Sequence, residues 1–205
     1  TIEFEGPLST SEGDPFVGGR SILKLERLTN TLITGRVELA LTRRFSLDAA
    51  IGLGTSLSGR ATDTDLGFLP TGDLIRAIAS KAEAGGETAV VTTNAYLRVV
   101  PFTGESENFV DLFAGYIFYR DALDLTSGVE VFRVGAPGPL GRIAGLDSSY
   151  DFAWRGVRVG ARGELAAHRR LRAGGQVALI PWTTYDGKGF WNLRPLHFTH
   201  EAEGG

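Results

Sequence analysis

The stretch that decides the fold is Ile33-Thr34-Gly35-Arg36-Val37-Glu38-Leu39-Ala40-Leu41, followed by Thr42-Arg43-Arg44 and then Phe45-Ser46-Leu47-Asp48-Ala49-Ala50-Ile51-Gly52-Leu53. Ile33, Val37, Leu39 and Leu41 fall on one face of an extended chain with Gly35, while Thr34, Arg36, Glu38 and Ala40 fall on the other. After the polar triplet the alternation restarts, with Phe45, Leu47, Ala49, Ile51 and Leu53 opposing Ser46, Asp48, Ala50, Gly52 and Gly54. Two period-two runs joined by a tight polar turn read as a β-hairpin.

Outward from this hairpin the same period returns. Ala89, Val91, Thr93, Ala95, Leu97 and Val99 oppose Val90, Thr92, Asn94, Tyr96 and Arg98, and Val110, Leu112, Ala114, Tyr116 and Phe118 oppose Asp111, Phe113, Gly115, Ile117 and Tyr119. Val157, Val159 and Ala161 oppose Arg158, Gly160, Arg162 and Glu164, and Leu171, Ala173, Val177 and Leu179 close the series. Strands are expected at about 1–5 and within 21–41, 45–60, 88–100, 109–125, 148–165, 171–185 and 191–202, roughly eight in all. The segment 73–84 reads as a short helix on the barrel mouth, since Leu74, Ile75, Ile78 and Ala82 share a helical face and Gly85-Gly86 supplies a stop.

In a soluble antiparallel sheet the alternating apolar face is the inside, filled by large side chains. Here the polar face carries glycines and opposite charges, which suits a narrow lumen. Arg36 with Glu38, and Arg158 and Arg162 with Glu164, are the expected lumen ion pairs, with Lys24, Glu26, Asp48, Arg98 and Asp111 beside them. The connections also alternate, short near 42–44, 102–108 and 166–170 and long near 57–87, 120–149 and 181–190. Short turns on one side and long loops on the other, with apolar residues facing lipid, are the pattern of an outer-membrane barrel. The fold class is therefore an all-β, antiparallel, up-and-down transmembrane β-barrel, one domain over 1–205. Trp154, Trp182, Trp191, Tyr116, Phe118 and Tyr119 are candidates for an aromatic girdle.

Composition narrows the function. The 205 residues contain no Cys, so disulfides, thiolate metal sites and cysteine nucleophiles are excluded. A net charge of −3 offers no basic surface for nucleic acid. No uncharged stretch approaches the roughly 20 apolar residues of a spanning helix. A chain that opens on Thr1 is expected to be processed or truncated, and one that stops on Glu203-Gly204-Gly205 lacks the aromatic close of such barrels, so further strands are expected after it. The loop tip at 136–141 is Gly- and Pro-rich but has neither the strand-to-helix setting nor the Lys of a phosphate loop.

The order of short motifs adds a resemblance. Gly18-Gly19-Arg20-Ser21-Ile22-Leu23-Lys24-Leu25-Glu26 leads into the first long strand, Asp63-Thr64-Asp65 follows at the far end of the next, and Phe113-Ala114-Gly115-Tyr116 and Trp182 come later. This series resembles the omptins, ten-stranded outer-membrane aspartyl-type proteases. The resemblance implies a barrel of about ten strands in the complete protein. It also implies an acidic pair on one side of the extracellular rim, matched by Asp63 and Asp65, facing an Asp-x-His couple on the other.

The second couple is not matched. Gly189 and Trp191 stand where it is expected, and neither accepts a proton. His168 falls in a short turn, while His197 and His200 have opposite parity in the last strand and do not share a metal. The expected function is thus a non-catalytic omptin-like outer-membrane barrel with a structural, scaffolding or surface-binding role in a Gram-negative-type envelope. The alternatives are an endopeptidase using Asp63 and Asp65, or a small porin-like channel. Expected partners are outer-membrane lipid, lipopolysaccharide included, and proteins met by the long loops, with no cofactor and no metal.

Overall fold

The computed structural model describes residues 2–7, 18–100, 108–135, 140–168, 171–193 and 196–204. They form eight strands: β1 (Ile2–Pro7), β2 (Gly19–Ala40), β3 (Phe45–Phe68), β4 (Leu74–Val100), β5 (Phe109–Arg133), β6 (Ser148–His168), β7 (Leu171–Trp191) and β8 (Leu196–Gly204). One sheet joins them in chain order, every pairing antiparallel, as an up-and-down meander. β1 and β8 are its edges, and the sheet is not closed by pairing between them.

The expected hairpin is present in register, with Val37 opposite Ala49 and Leu39 opposite Leu47. Thr42 holds its turn, its Oγ1 accepting the backbone N–H groups of Arg44 and Phe45 at 3.2 and 3.0 Å. This turn defines the near end of the sheet, and Asp63 lies in the opposite, far half. Residues 102–107 and 169–170 of the other expected short turns, and 136–139 of the loop tip, lie outside the described residues.

The far end differs from the expectation. The expected helix over 73–84 is the first half of β4, paired with β3 from Phe68↔Leu74 to Arg60↔Glu83. The expected long loops at 57–87, 120–149 and 181–190 are largely strand, since β2 to β7 run 21 to 27 residues each. The β3–β4 connection is a tight turn in which Gly72 N–H bonds Leu69 C=O at 2.8 Å, with Pro70 in the second position and Gly72 at φ +88°.

Bulges explain the discrepancy. Register shifts interrupt β2 against β3 between Glu26 and Thr29, β3 against β4 between Ser56 and Arg60, and β4 against β5 near Ser80 and Glu83. Arg27 and Ser127 take left-handed conformations at two of these sites, φ +56° and +54°. Each extra residue reverses the parity of the strand beyond it. In β3, Asp48 and Ser56 are buried below the bulge and Ala61 and Asp65 above it. An alternating reading therefore loses its thread at the bulge although the strand continues.

The sheet is strongly curled, and its concave face is the interior. Far-half residues Leu23, Leu25, Leu123, Leu125, Tyr150 and Phe152 form the centre of a packed core there. In the near half the same face is ionic.

Candidate functional site: the interior of the curled sheet

The near-half interior is a network of charges supplied by five consecutive strands. Arg36 of β2 lies 2.6 Å from Asp48 of β3 and 3.4 Å from Glu38. Arg162 of β6 reaches Glu38 at 2.5 Å and Asp111 of β5 at 3.0 Å, and Arg98 of β4 takes the other oxygen of Asp111 at 3.0 Å. Asp111 is 1% exposed, so its charge depends on these two guanidinium groups. Tyr96, equally buried, lies under Arg162 with the guanidinium carbon 3.5 Å from its ring centre. Asn94 donates to Asp48 at 2.7 Å.

The structure therefore places Arg36, Glu38 and Arg162 in one connected group. Glu164 sits nearer the turn end and pairs with Arg172 at 3.1 Å. Arg158 stands over the Phe113 ring at 5.2 Å, and its buried Nε has no hydrogen-bond partner. Lys24 and Glu26 do not join the interior. Lys24 pairs with Glu26 and with Glu3 on the convex face, because Leu23 and Leu25 occupy the concave side of β2.

A second polar node separates the ionic layer from the core. Asp121, fully buried, accepts hydrogen bonds from Thr88 Oγ1 and Tyr119 Oη, each at 2.5 Å, and from Asn30 at 3.4 Å. Sequence reasoning passed over Asp121. Its signal was parity, since it continues the odd-numbered inward row of Asp111 and Phe113.

Above this lies an aromatic layer that joins the two sheet edges. Phe4 of β1 stacks on Tyr185 of β7 at 5.1 Å and on His200 of β8 at 5.7 Å, and meets Tyr150 of β6 at 4.9 Å. Tyr150 Oη is 2.8 Å from Tyr185 Oη and 3.0 Å from His200 Nδ1. Burial pushes the Tyr150 phenol up to about 12, raises Tyr185 further, and lowers His200. Gly187 and Gly189 leave room for this layer, since a Cβ on Gly189 would lie 2.0 Å from the Phe198 ring.

Asp63 and Asp65 face the same interior from the far half of β3. Asp63 accepts Ser21 Oγ at 3.0 Å and stands opposite Leu23 and Ser80, and Asp65 is 8% exposed, opposite Ser21. His200 is engaged in the aromatic layer, and His197 stacks on Phe190 at 4.7 Å. Among the described residues no group of three or more His, Cys, Asp or Glu is arranged to hold a metal.

The convex face inverts the interior. Around the near half it is aliphatic and bare, with Ile33 84%, Val37 72% and Val177 72% exposed, and Leu39, Ile51, Leu97, Leu112 and Leu179 continue the band. Around the far half it is mostly charged, with Arg120 paired to Asp151 at 2.9 Å and Arg155 paired to Asp186, although Leu74, Val129, Val131 and Val134 are exposed at its outermost end. Of the girdle candidates, Tyr116 and Trp182 are exposed at the upper border of the band. Trp154 and Tyr119 turn inward instead, onto Tyr185 and Asp121. No protein-family model and no curated protein matches this chain.

Proposed function

We propose that the chain is the barrel of an outer-membrane protein whose near half crosses the bilayer and whose far half stands above it. The observation that carries this reading is the change of the convex face from aliphatic to charged at one height on the long strands. The bare band covers roughly 9–11 residues per strand, the length a tilted strand needs to cross a hydrocarbon core. An exposed apolar belt of this extent is not a water-facing surface. The strands are about twice that length, so their upper halves project as a charged collar. Outer-membrane lipid is the expected neighbour of the belt, and lipopolysaccharide headgroups of its upper border.

The role that fits is structural or surface-binding, in the manner of a non-catalytic omptin-like barrel. The ionic layer and the aromatic layer both fill the interior, which argues against a porin-like channel. A peptidase reading rests on Asp63 and Asp65 alone, because the wall built by β7 and β8 offers Gly189, Trp191 and an aromatic-bound His200 instead of a free base.

Arginine substitutions test the belt. In lipid vesicles, Val37→Arg and Val177→Arg are each expected to lower folding stability by about 2–4 kcal/mol, the cost of a cation at mid-membrane depth. Asp124→Arg on the collar is expected to change it little. Equal, small effects at all three positions in a chain that stays monomeric without lipid or detergent would defeat the reading.

A further inference from the structure

The buried carboxylates of the ionic layer each have a guanidinium. Asp48 has Arg36, and Asp111 has Arg98 and Arg162. Asp121, at the top of that layer, has none. It is 0% exposed, and among the described residues its carboxylate meets only neutral donors, Thr88 Oγ1, Tyr119 Oη and Asn30 Nδ2. Neutral hydrogen bonds offset only part of the cost of burying a charge. With no surface left to solvent, the carboxylate is reached only by something small enough to lie among the side chains around it.

Two oxygens beside it are also without partners. Asn30 turns its Nδ2 to Tyr119 and Asp121, at 2.8 and 3.4 Å, and its buried Oδ1 has no hydrogen-bond partner among the described residues. Ser56 stands directly opposite Asn30 in the β2–β3 register, is 5% exposed, and its Oγ has no partner either. Buried polar atoms are nearly always satisfied, and exceptions of this kind point to a bound water or ion. Thr88 closes the cluster from β4. It lies diagonally across from Ser56, and its hydroxyl keeps lone pairs after giving its one proton to Asp121. Gly54 and Gly86, opposite Thr88 and Ser56, put no side chain between them.

The free positions around Asp121 are therefore all oxygens, which suits a hard cation. One carboxylate balances one positive charge, whereas a divalent ion would leave an excess in an enclosed layer. Neutral oxygens replace the hydration shell of an alkali ion, as carbonyls do in potassium filters.

We propose that Asn30, Ser56, Thr88 and Asp121 form a binding site for an alkali cation, placed where the ionic layer meets the aromatic core. The site belongs to the interior of the sheet and does not rest on the membrane reading. The full chain is refolded in uncharged detergent and unfolded with urea in sodium, potassium or choline chloride at equal ionic strength. The midpoint is expected to be at least about 0.3 M higher in one or both alkali salts than in choline chloride, and to reach a plateau with concentration. Asp121→Asn, of the same shape but uncharged, is expected to give one midpoint in all three salts. Ser56→Ala separates a ligand from a structural hydroxyl, because Ser56 Oγ bonds no protein group. That variant is expected to match the unaltered chain in choline chloride and to need at least about tenfold more alkali salt for half the effect. Equal midpoints of the unaltered chain in the three salts, the result if a water molecule alone bridges these oxygens, overturn the proposal. So does an alkali effect of full size in Asp121→Asn, an unchanged half-saturation in Ser56→Ala, or a Ser56→Ala loss as large in choline chloride as in the alkali salts.

Discussion

Arg162 of β6 and Glu38 of β2, 124 positions apart in sequence, are joined by two hydrogen bonds of 2.9 and 2.5 Å across the concave face. Three strands lie between them in the sheet. A flat sheet would hold β2 and β6 about 19 Å apart at the usual strand spacing, so this contact exists only because the sheet curls. The ion pair is at once a product of the curl and a brace for it.

Replacing Arg162 with Met removes that brace, one of the two cations on buried Asp111, and the cation over Tyr96. The expected loss is about 3 kcal/mol, the lower end for a buried charge deprived of a partner, because Arg98 remains. Arg172→Met, which breaks an exposed pair with Glu164, is expected to cost no more than about 0.5 kcal/mol. Urea midpoints of the refolded variants in detergent measure both.

Close approach of backbones makes a second prediction. A Cβ on Gly54 would lie 1.8 Å from the Thr31 carbonyl oxygen, whereas one on Gly35 meets nothing within 4 Å. Gly54→Ala must push β2 from β3 and is expected to cost about 1–3 kcal/mol or more. Gly35→Ala is expected to be neutral within about 0.5 kcal/mol. Similar values for the two in the same unfolding assay would show that the β2–β3 contact is looser than described.

The near half was legible in sequence and the far half was not, for one physical reason. From Ile33 to Leu53 nothing disturbs the period of two, and the side chains on each face announce their surroundings. Above Arg27, Ser56 and Ser80 the bulges reverse parity. In β4, Leu74, Ile75, Ile78 and Ala82 are spaced in sequence like the face of a helix, and pairing to β3 and then β5 overrode that local pattern. The site divided in the same way. Arg36, Glu38 and Arg162 followed from alternation and charge, but Phe4 meets Tyr150, Tyr185 and His200 only through the curl that carries β1 toward β6, β7 and β8.

His200 gives the far half a pH dependence. Burial lowers its pKa below the ordinary 6.5, and its contacts are Tyr150, Phe4 and Phe198, with Tyr185 beyond. The unfolded chain therefore binds a proton that the folded chain resists. Stability contributed by neutral His200 is full above about pH 6.5 and falls as the pH drops below it. In urea titrations between pH 8 and 5 the midpoint is expected to decline on the acid side. In His200→Phe that part of the slope is expected to vanish, and its persistence would place the titrating group elsewhere.

Absence of peptidase activity is the fourth expectation. Peptides with paired basic residues should survive incubation with the full-length protein in lipid, because Asp63 and Asp65 have no Asp-x-His couple opposite them in the sequence. Cleavage lost in both Asp63→Asn and Asp65→Asn would establish the enzyme reading instead.

The central claim, that the near half lies in lipid with its aliphatic face outward, is tested most directly by tryptophan depth. Trp182 is 46% exposed at the upper border of the belt, Trp154 packs inward on Tyr185, and Trp191 ends β7 at the far end. Three variants that each keep one tryptophan, the others changed to Phe, are reconstituted into vesicles containing brominated lipid. Strong quenching of Trp182 with little of Trp154 or Trp191 is the predicted result, and Trp182 fluorescence unaffected by the brominated chains would contradict it.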